Sequence, residues 1–314
     1  MPSGFREPML ATLTERRFSK SGWLFERKLD GMRAIAVRDG GRTALWSRNG
    51  NRLDERFPEL VDALDERGGP AFAADGEIVA FDGTTTSFAR LQPRIHLTGA
   101  ERIAATGVKV YYYLFDLLSY GGEDLTGLTL RDRKQLLRRA FAFGDPLRFS
   151  VHRNTDGETY FEQACEKGWE GVIAKRAESR YRSGRSKDWL KFKCVRDQEF
   201  VVGGFTDPQG SRAGFGALLV GYHDSDGTLR YAGKVGTGYD ERTLRDLRER
   251  MDALAQEEKP FADPVREKGA HWIRPEPVVQ VGFSEWTPDG MLRHPRYRGE
   301  RIDKPARDVV RETS

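Results

Sequence analysis

The sequence predicts an α+β fold over its first two-thirds and a small β-barrel over its last third, and three observations carry that expectation. Strand-like runs alternate irregularly with helical stretches up to about residue 195, and beyond it the strands become short and punctuated by glycine. At 314 residues the chain is long enough to bury two ordinary cores. The expected division is therefore 1–195 and 196–314.

In chain order, strand-like runs cover 23–28, 33–38 and 43–48, with Asp39, Gly40 and Gly41 as a turn. Asp54 starts a helix in which Phe57, Leu60, Val61 and Leu64 keep helical spacing. Strands follow at 72–81, 108–118, 147–152, 170–176 and 189–194, with helices at 131–141 and 157–167 between the later ones. This is not a regular βαβ alternation, so antiparallel sheets with flanking helices are expected. In the last third, "FVVGGF", "GALLVGY", "RYAGKVGTGY" and "VVQVGFSEW" surround one helix whose apolar stripe is Leu244, Leu247, Met251 and Leu254. Several short strands around a single helix predict a barrel of the OB type.

The net charge of +4 hides two basic clusters. Residues 175–196 hold nine Lys or Arg (Lys175, Arg176, Arg180, Arg182, Arg185, Lys187, Lys191, Lys193, Arg196) against Glu178 and Asp188, a local +7. Residues 293–307 hold six (Arg293, Arg296, Arg298, Arg301, Lys304, Arg307) against Glu300 and Asp303, a local +4. One such run reads as a solvated face; two, interleaved with aromatic residues, point to a polyanion. Cys165 and Cys194 cannot build a zinc site alone, and buried free thiols in a reducing cytoplasm are expected. The histidines (His96, His152, His223, His271, His294) show no ligand spacing, so no histidine-built metal site is expected. With no N-terminal apolar segment and no long apolar run, neither a secreted nor a membrane protein is expected.

The stretch "FERKLDGMRA" (25–34) raises the question whether its lysine does chemistry. In a strand, alternate side chains share a face, so Glu26 and Lys28 point together, and in "DWLKFKC" Trp189, Lys191 and Lys193 do the same. Two ammonium groups two residues apart repel unless an anion such as phosphate lies against them. Cations near Lys28 would favour its neutral amine, the form a lysine nucleophile needs. Alone, Lys28 reads as an exposed strand lysine.

"KLDGMR" (28–33) resembles the K-x-D-G-x-R motif of the covalent nucleotidyltransferases: ATP-dependent DNA ligases, RNA ligases and mRNA capping enzymes. The family's other motifs follow in order as "DGEIVAFD" (75–82), "YLFDLL" (113–118), "EGVIAKR" (170–176), "WLKFK" (189–193) and "RHPRYRGERIDKP" (293–305). "PMLAT" (8–12), "SRNG" (47–50) and the tail look most like the ligase part of the bacterial end-joining ligase D group.

The resemblance implies a nucleotidyltransferase (adenylation) domain followed by an OB-fold domain, and a role for each matched residue. Lys28 would attack the α-phosphorus of ATP to give lysyl-AMP. Glu26 would read the adenine amino group and Phe115 would stack on the base. Glu77 would contact the ribose or a metal, and Glu170 would hold the catalytic Mg²⁺ or Mn²⁺. Arg33 and Arg48 would grip the ribose and later the DNA 5′-phosphate, and Lys191 and Lys193 the α-phosphate. Arg301, Asp303 and Lys304 would orient the pyrophosphate in the first step only, the barrel closing over ATP and then swinging away. Singly, Phe115 reads as core, Glu77 and Glu170 as turn carboxylates and Arg48 as a hairpin end; the joint pattern favours function. Nucleotidyl transfer needs charge neutralisation and in-line positioning, which suits a Lys, Arg and Glu set, and no G-x-x-x-x-G-K-[ST] loop offers another phosphate site.

The expected activity is the sealing of DNA nicks or ends in repair by end joining, by a bacterial cytoplasmic monomer, with a Ku-type end-binding protein as a partner the family implies. Lys28 lies so near the start that no DNA-encircling domain is expected before it. No polymerase or nuclease part is in the sequence, which fits a stand-alone protein or an excised domain. Two rivals stay open: an RNA ligase or GTP-using capping enzyme, against which Glu26 and the tail argue, and a non-catalytic DNA-end-binding module, against which the intact nucleophile and carboxylates argue.

Overall fold

The computed structural model describes residues 5–67, 69–95, 97–194, 197–208, 210 and 213–312. His96 and Arg196, and the expected boundary at 195/196, lie outside the described residues. The chain divides into two compact units, Met1–Cys194 and Val195–Thr313.

The first unit carries strands β1 (Met9–Leu13), β2 (Trp23–Lys28), β3 (Met32–Arg38), β4 (Ala44–Ser47), β5 (Phe72–Asp82), β6 (Thr85–Thr86), β7 (Val110–Tyr120), β8 (Glu123–Asp124), β9 (Leu147–Phe149), β10 (His152–Asn154), β11 (Gly171–Arg176) and β12 (Gly184–Lys193). Its helices are α1 (Pro58–Arg67), α2 (Phe88–Ile95), α3 (Ala100–Ala105), α4 (Leu130–Ala140) and α5 (Gly157–Glu166). One sheet has the order β1-β12-β11-β2-β10; the other runs β4-β3-β5-β7-β8, with β6 on β5 and β9 on β7. All pairs are antiparallel except β1 with β12 and β7 with β9.

Alternation along β2 explains the layering. Trp23 and Phe25 point outward from the first sheet and bury against Tyr160 and Ala164 of α5 together with Val172 and Phe192. Between the sheets a second cluster joins Met9, Ile35, Val37, Phe115, Tyr181 and Trp189. Each large side chain so buried contributes roughly 1.5–3 kcal/mol. The turn joining the sheets is built by "LDG": a Cβ on Gly31 would stand 2.3 Å from the Ile78 carbonyl oxygen, so only glycine passes. Asp30 then accepts from the Phe88 N–H at 3.0 Å and caps α2.

Three expectations need correction. The run 147–152 is two strands in two sheets, because the chain crosses between them where the Ser150 N–H donates to the Leu114 carbonyl. The last strand starts at Gly184, and β1, α2 and α3 have no counterpart in the sequence reading. Cys165 and Cys194 are not free thiols: they form a disulfide, because α5 packs over the end of β12 and brings their Cα atoms to 5.2 Å.

The second unit carries β13 (Asp197–Thr206), β14 (Leu218–His223), β15 (Leu229–Val235), α6 (Glu241–Asp252), β16 (Ala255–Gln256), β17 (Ala270–Ile273), β18 (Val278–Gly282), β19 (Glu285–Trp286), β20 (Leu292–Arg293) and β21 (Arg296–Glu300). β13 is the hub of a curled antiparallel sheet, pairing with β14, β17 and β18, and β18 pairs with β21. Asp240 caps α6 through the Thr243 N–H at 2.7 Å, and Leu244, Leu247 and Met251 enter a core with Phe200, Val220 and Val281. This is the single-helix, OB-type arrangement expected from the sequence.

Candidate active site

Strand β11 lies between β2 and β12 and sets the register of the site. Gly171 is opposite both Lys28 and Lys193, and Ile173 is opposite both Glu26 and Lys191. Residues paired directly across neighbouring strands share a face. The five positions expected to meet nucleotide on this sheet, Glu26, Lys28, Glu170, Lys191 and Lys193, thus gather at one edge of one face or immediately beside it. Gly171 has φ +150°, and a Cβ there would stand 1.9 Å from the Phe192 carbonyl oxygen, so the row Lys28–Gly171–Lys193 requires a glycine at its middle. Glu170 precedes it, its carbonyl held by the Cys194 N–H at 3.0 Å and its carboxylate paired with the Lys28 ammonium. Both side chains are mostly withdrawn from solvent, 17% and 11% exposed, which strengthens the pair.

The second sheet contributes Arg33, Glu77, Phe115 and Arg48. Arg33, Glu77 and Tyr113 are opposite one another on β3, β5 and β7. Arg33 is held by Asp75, Nε donating to Oδ1 at 2.6 Å and Nη2 to Oδ2 at 2.7 Å, while the Tyr181 hydroxyl donates to the same carboxylate at 2.6 Å. Burial works against the Arg33 charge, but Asp75 outweighs it and raises the guanidinium pKa. Phe115 is buried between the sheets, its ring 4.6 Å from the Arg33 guanidinium and 4.0 Å from Lys175 Nζ. The half-buried Arg48 follows β4 in a turn closed by the Gly50 N–H to the Ser47 carbonyl at 2.9 Å.

Glu26 is 2% exposed. Lys134 of α4 lies 2.7 Å from its Oε1, Lys175 is 2.9 Å from Oε2, and the Ser150 hydroxyl donates to Oε2 at 3.0 Å. Burial alone would raise the Glu26 pKa, yet the two ammonium groups overcome it and hold the carboxyl at about 2. Burial in turn brings Lys175 down to about 8 against the pull of Glu26.

Arg301, Asp303 and Lys304 belong to the second unit and are described there alone. Arg301 donates to Asp303 through Nε at 2.9 Å and Nη2 at 2.8 Å, and Lys304 pairs with Glu199 of β13 at 3.2 Å. Part of each basic cluster is paired within its own unit: Lys175 with Glu26 in the interior, and at the surface Arg176 with Asp188 at 3.2 Å and Arg293 with Glu285 at 2.7 Å.

Sequence reasoning assigned no role to Asp75, Lys134, Ser150 or Lys175. Asp75 and Lys175 sit inside motifs already singled out, whereas Lys134 is one of many basic residues in "LRDRKQLLRRA" and only its contacts distinguish it.

Among the described residues no group of three or more His, Cys, Asp or Glu side chains forms a cation cage. A hard divalent cation held by one or two carboxylates, with substrate phosphates and water completing its shell, fits the oxygen donors Glu170 and Glu77. Likewise no helix among the described residues is long and apolar enough to cross a membrane.

A family model for the ATP dependent DNA ligase domain matches residues 8–193, and one for the ATP dependent DNA ligase C terminal region matches 211–304. The chain belongs to the ATP-dependent DNA ligases. The multifunctional non-homologous end joining protein LigD of Pseudomonas aeruginosa is 40% identical over 314 residues, covering 97% of this chain and 36% of that protein. The LigD of Mycobacterium tuberculosis is 38% identical over 312 residues, covering 97% and 40%. This ligase chain therefore spans well under half the length of those relatives. A solved structure described as mycobacterial DNA ligase D complexed with ATP and MES aligns with a TM-score of 0.68 at 36% identity, covering 97% of this chain and 98% of that one.

Proposed function

We propose that this chain seals DNA nicks or ends through a lysyl-AMP intermediate, as the ligation unit of bacterial double-strand break end joining. The observation that carries the reading is the row Lys28–Gly171–Lys193 with Glu170 paired to Lys28. A nucleophilic amine there stands beside cations suited to an α-phosphate and a carboxylate suited to a metal.

In the first step the Lys28 ammonium loses a proton to solvent, the freed Nζ lone pair attacks the α-phosphorus of ATP, an N–P bond forms as the bond from that phosphorus to the α,β-bridging oxygen breaks, pyrophosphate leaves, and the nitrogen releases a second proton to solvent. Lys191 and Lys193 balance charge on the α-phosphate, and Arg301 with Lys304 orients the pyrophosphate. AMP then passes to a DNA 5′-phosphate and the 3′-hydroxyl displaces it. Preorganised positive charge where anionic charge builds is the main lever in such transfers. Glu170 and Glu77 would hold Mg²⁺ or Mn²⁺, which supplies further neutralisation of phosphate charge. Arg33 and Arg48 line the ribose and later the 5′-phosphate, Phe115 the base, and Glu26 its amino group.

The setting that goes with this reading is a monomer in a bacterial cytoplasm, acting on DNA at the nucleoid with a Ku-type end-binding partner, and the end-joining names of the relatives support its repair role. Protein stripped with pyrophosphate and incubated with α-labelled ATP and Mg²⁺ tests the reading. Acid-labile label on the parent that is absent from Lys28→Ala supports it; no label on the parent overturns it in favour of a non-catalytic DNA-end-binding module. Label from GTP in preference to ATP would turn it toward a capping-type enzyme.

A further inference from the structure

Helix α4 directs a lysine into the first unit that no ligase motif contains. Lys134 is 2% exposed, and besides its 2.7 Å approach to Glu26 Oε1 its Nζ donates to the Ser150 carbonyl at 2.9 Å and to the Phe115 carbonyl at 3.4 Å. One ammonium thereby touches the carboxylate of β2, the crossing between the sheets, and the backbone of the residue whose ring is expected under the base. Lys175 holds the other Glu26 oxygen and stands 4.0 Å from the Phe115 ring.

Stability does not account for this arrangement. Burying three charges costs desolvation that their attraction repays only in part, and apolar residues of the same volume are often as stable or more so. The arrangement does fix a carboxylate. Glu26 Oε1 stands 2.7 Å from the Lys134 ammonium, and because each carboxylate oxygen has two lone pairs it keeps capacity to accept a further hydrogen bond. An ionised carboxylate only accepts, which suits an exocyclic amine and opposes a carbonyl oxygen. The two ammonium groups beside it are engaged within the protein, Lys175 by Glu26 and Lys134 by Glu26 and the Ser150 and Phe115 carbonyls.

We propose that Lys134 is a positioning residue for base recognition: it holds Glu26 Oε1 in the orientation that accepts from the 6-amino group of a purine, and so sets the preference for that base. The proposal rests on the ligase reading above and adds the residue through which Glu26 acts. A carboxyl held at about 2 stays ionised at every working pH, which the role requires.

The test compares lysyl-nucleotide formation from ATP and from purine riboside triphosphate, which lacks only the 6-amino group, in the parent and in Lys134→Met and Lys134→Gln. The parent prefers ATP. In Lys134→Met that preference narrows about tenfold or more, the scale of one hydrogen bond to a charged group, through a higher KM for ATP with a smaller change in kcat. Lys134→Gln keeps a donor without the charge and restores part of the preference. A purely structural lysine would slow both substrates together and leave their ratio unchanged, and that result overturns the proposal, with thermal unfolding confirming that each variant is folded. Should Lys134→Met not fold, Lys134→Gln decides alone, a narrowed ratio supporting and an unchanged ratio overturning. A parent that forms no lysyl-nucleotide from either substrate defeats the ligase reading instead, and the two failures are thereby distinguishable.

Discussion

Arg33 closes a bidentate ion pair on Asp75, with Nε 2.6 Å from Oδ1 and Nη2 2.7 Å from Oδ2. The arginine that the motif assigns to the nucleotide is thus also a structural strut, fixed by a fully buried carboxylate and lying 4.6 Å from the Phe115 ring. Its backbone partner across the sheet is Glu77, so one pair of strands places an arginine and a candidate metal carboxylate together.

Asp75→Asn removes one charge of this pair while keeping its shape. Breaking a buried pair from one side costs about 3–5 kcal/mol, and the 17% exposure of the Arg33 side chain puts the expected loss near the lower end. Urea unfolding of parent and variant measures it. A loss well under about 1 kcal/mol would mean that the Arg33 charge is satisfied from solvent.

The Glu26 carboxyl links acid stability to a residue proposed to read the base. Its folded pKa of about 2 lies below the ordinary 4.5, so the folded state binds fewer protons there than the unfolded chain does. The resulting stabilisation is complete above pH 4.5 and is lost as pH falls from 4.5 toward 2, about 3 kcal/mol in all. Glu26→Gln, which leaves Lys134 and Lys175 uncompensated, should be the less stable protein at pH 7, and the gap should close across that window. A gap that stays constant down to pH 2 would count against the two-lysine clamp.

What the sequence disclosed and what it withheld divide along a physical line. The strand alternation that puts Glu26 with Lys28, and Lys191 with Lys193, is local, and so was legible; that Gly171 aligns Lys28 with Lys193 and Ile173 aligns Glu26 with Lys191 is a matter of register, which no single strand carries. Apolar Phe115 alone read as core and only the joint motif pattern made it a base stack, and its burial beside Lys175 does not separate the two roles. Lys134 and the crossing at Ser150 depend on where a helix docks, and the run 147–152 looked like one strand because hydrophobicity does not record a change of sheet. The cysteines were read as free because a spacing of 29 residues says nothing of proximity until α5 is placed on β12.

That bridge predicts a redox-dependent stability. Linking Cys165 to Cys194 restricts the unfolded chain, and for a loop closed by residues 29 apart the contribution is about 3.5 kcal/mol. Dithiothreitol, or Cys165→Ser, should lower the urea midpoint by a matching amount while lysyl-AMP formation persists where the protein is still folded. Two reactive thiols counted in native protein purified without reductant, together with an unchanged midpoint, would show that the pair stays reduced.

The C-terminal residues offer a separation of steps. Arg301 is tied to Asp303 and Lys304 to Glu199, so each is held within the second unit by a carboxylate of its own. Their expected work is confined to the pyrophosphate of ATP, a group present in the first step and gone afterwards, and an interaction made in one step alone affects only that step. Arg301→Ala should therefore slow lysyl-AMP formation by roughly tenfold to a hundredfold, the scale of one charged contact in a transition state. Sealing of a nick that already carries AMP on its 5′-phosphate should stay within about twofold of the parent. Measuring both rates on one preparation distinguishes the outcomes: equal losses in the two reactions would assign Arg301 to the stability of the barrel, and a loss confined to sealing would assign it to DNA binding, in either case rather than to pyrophosphate.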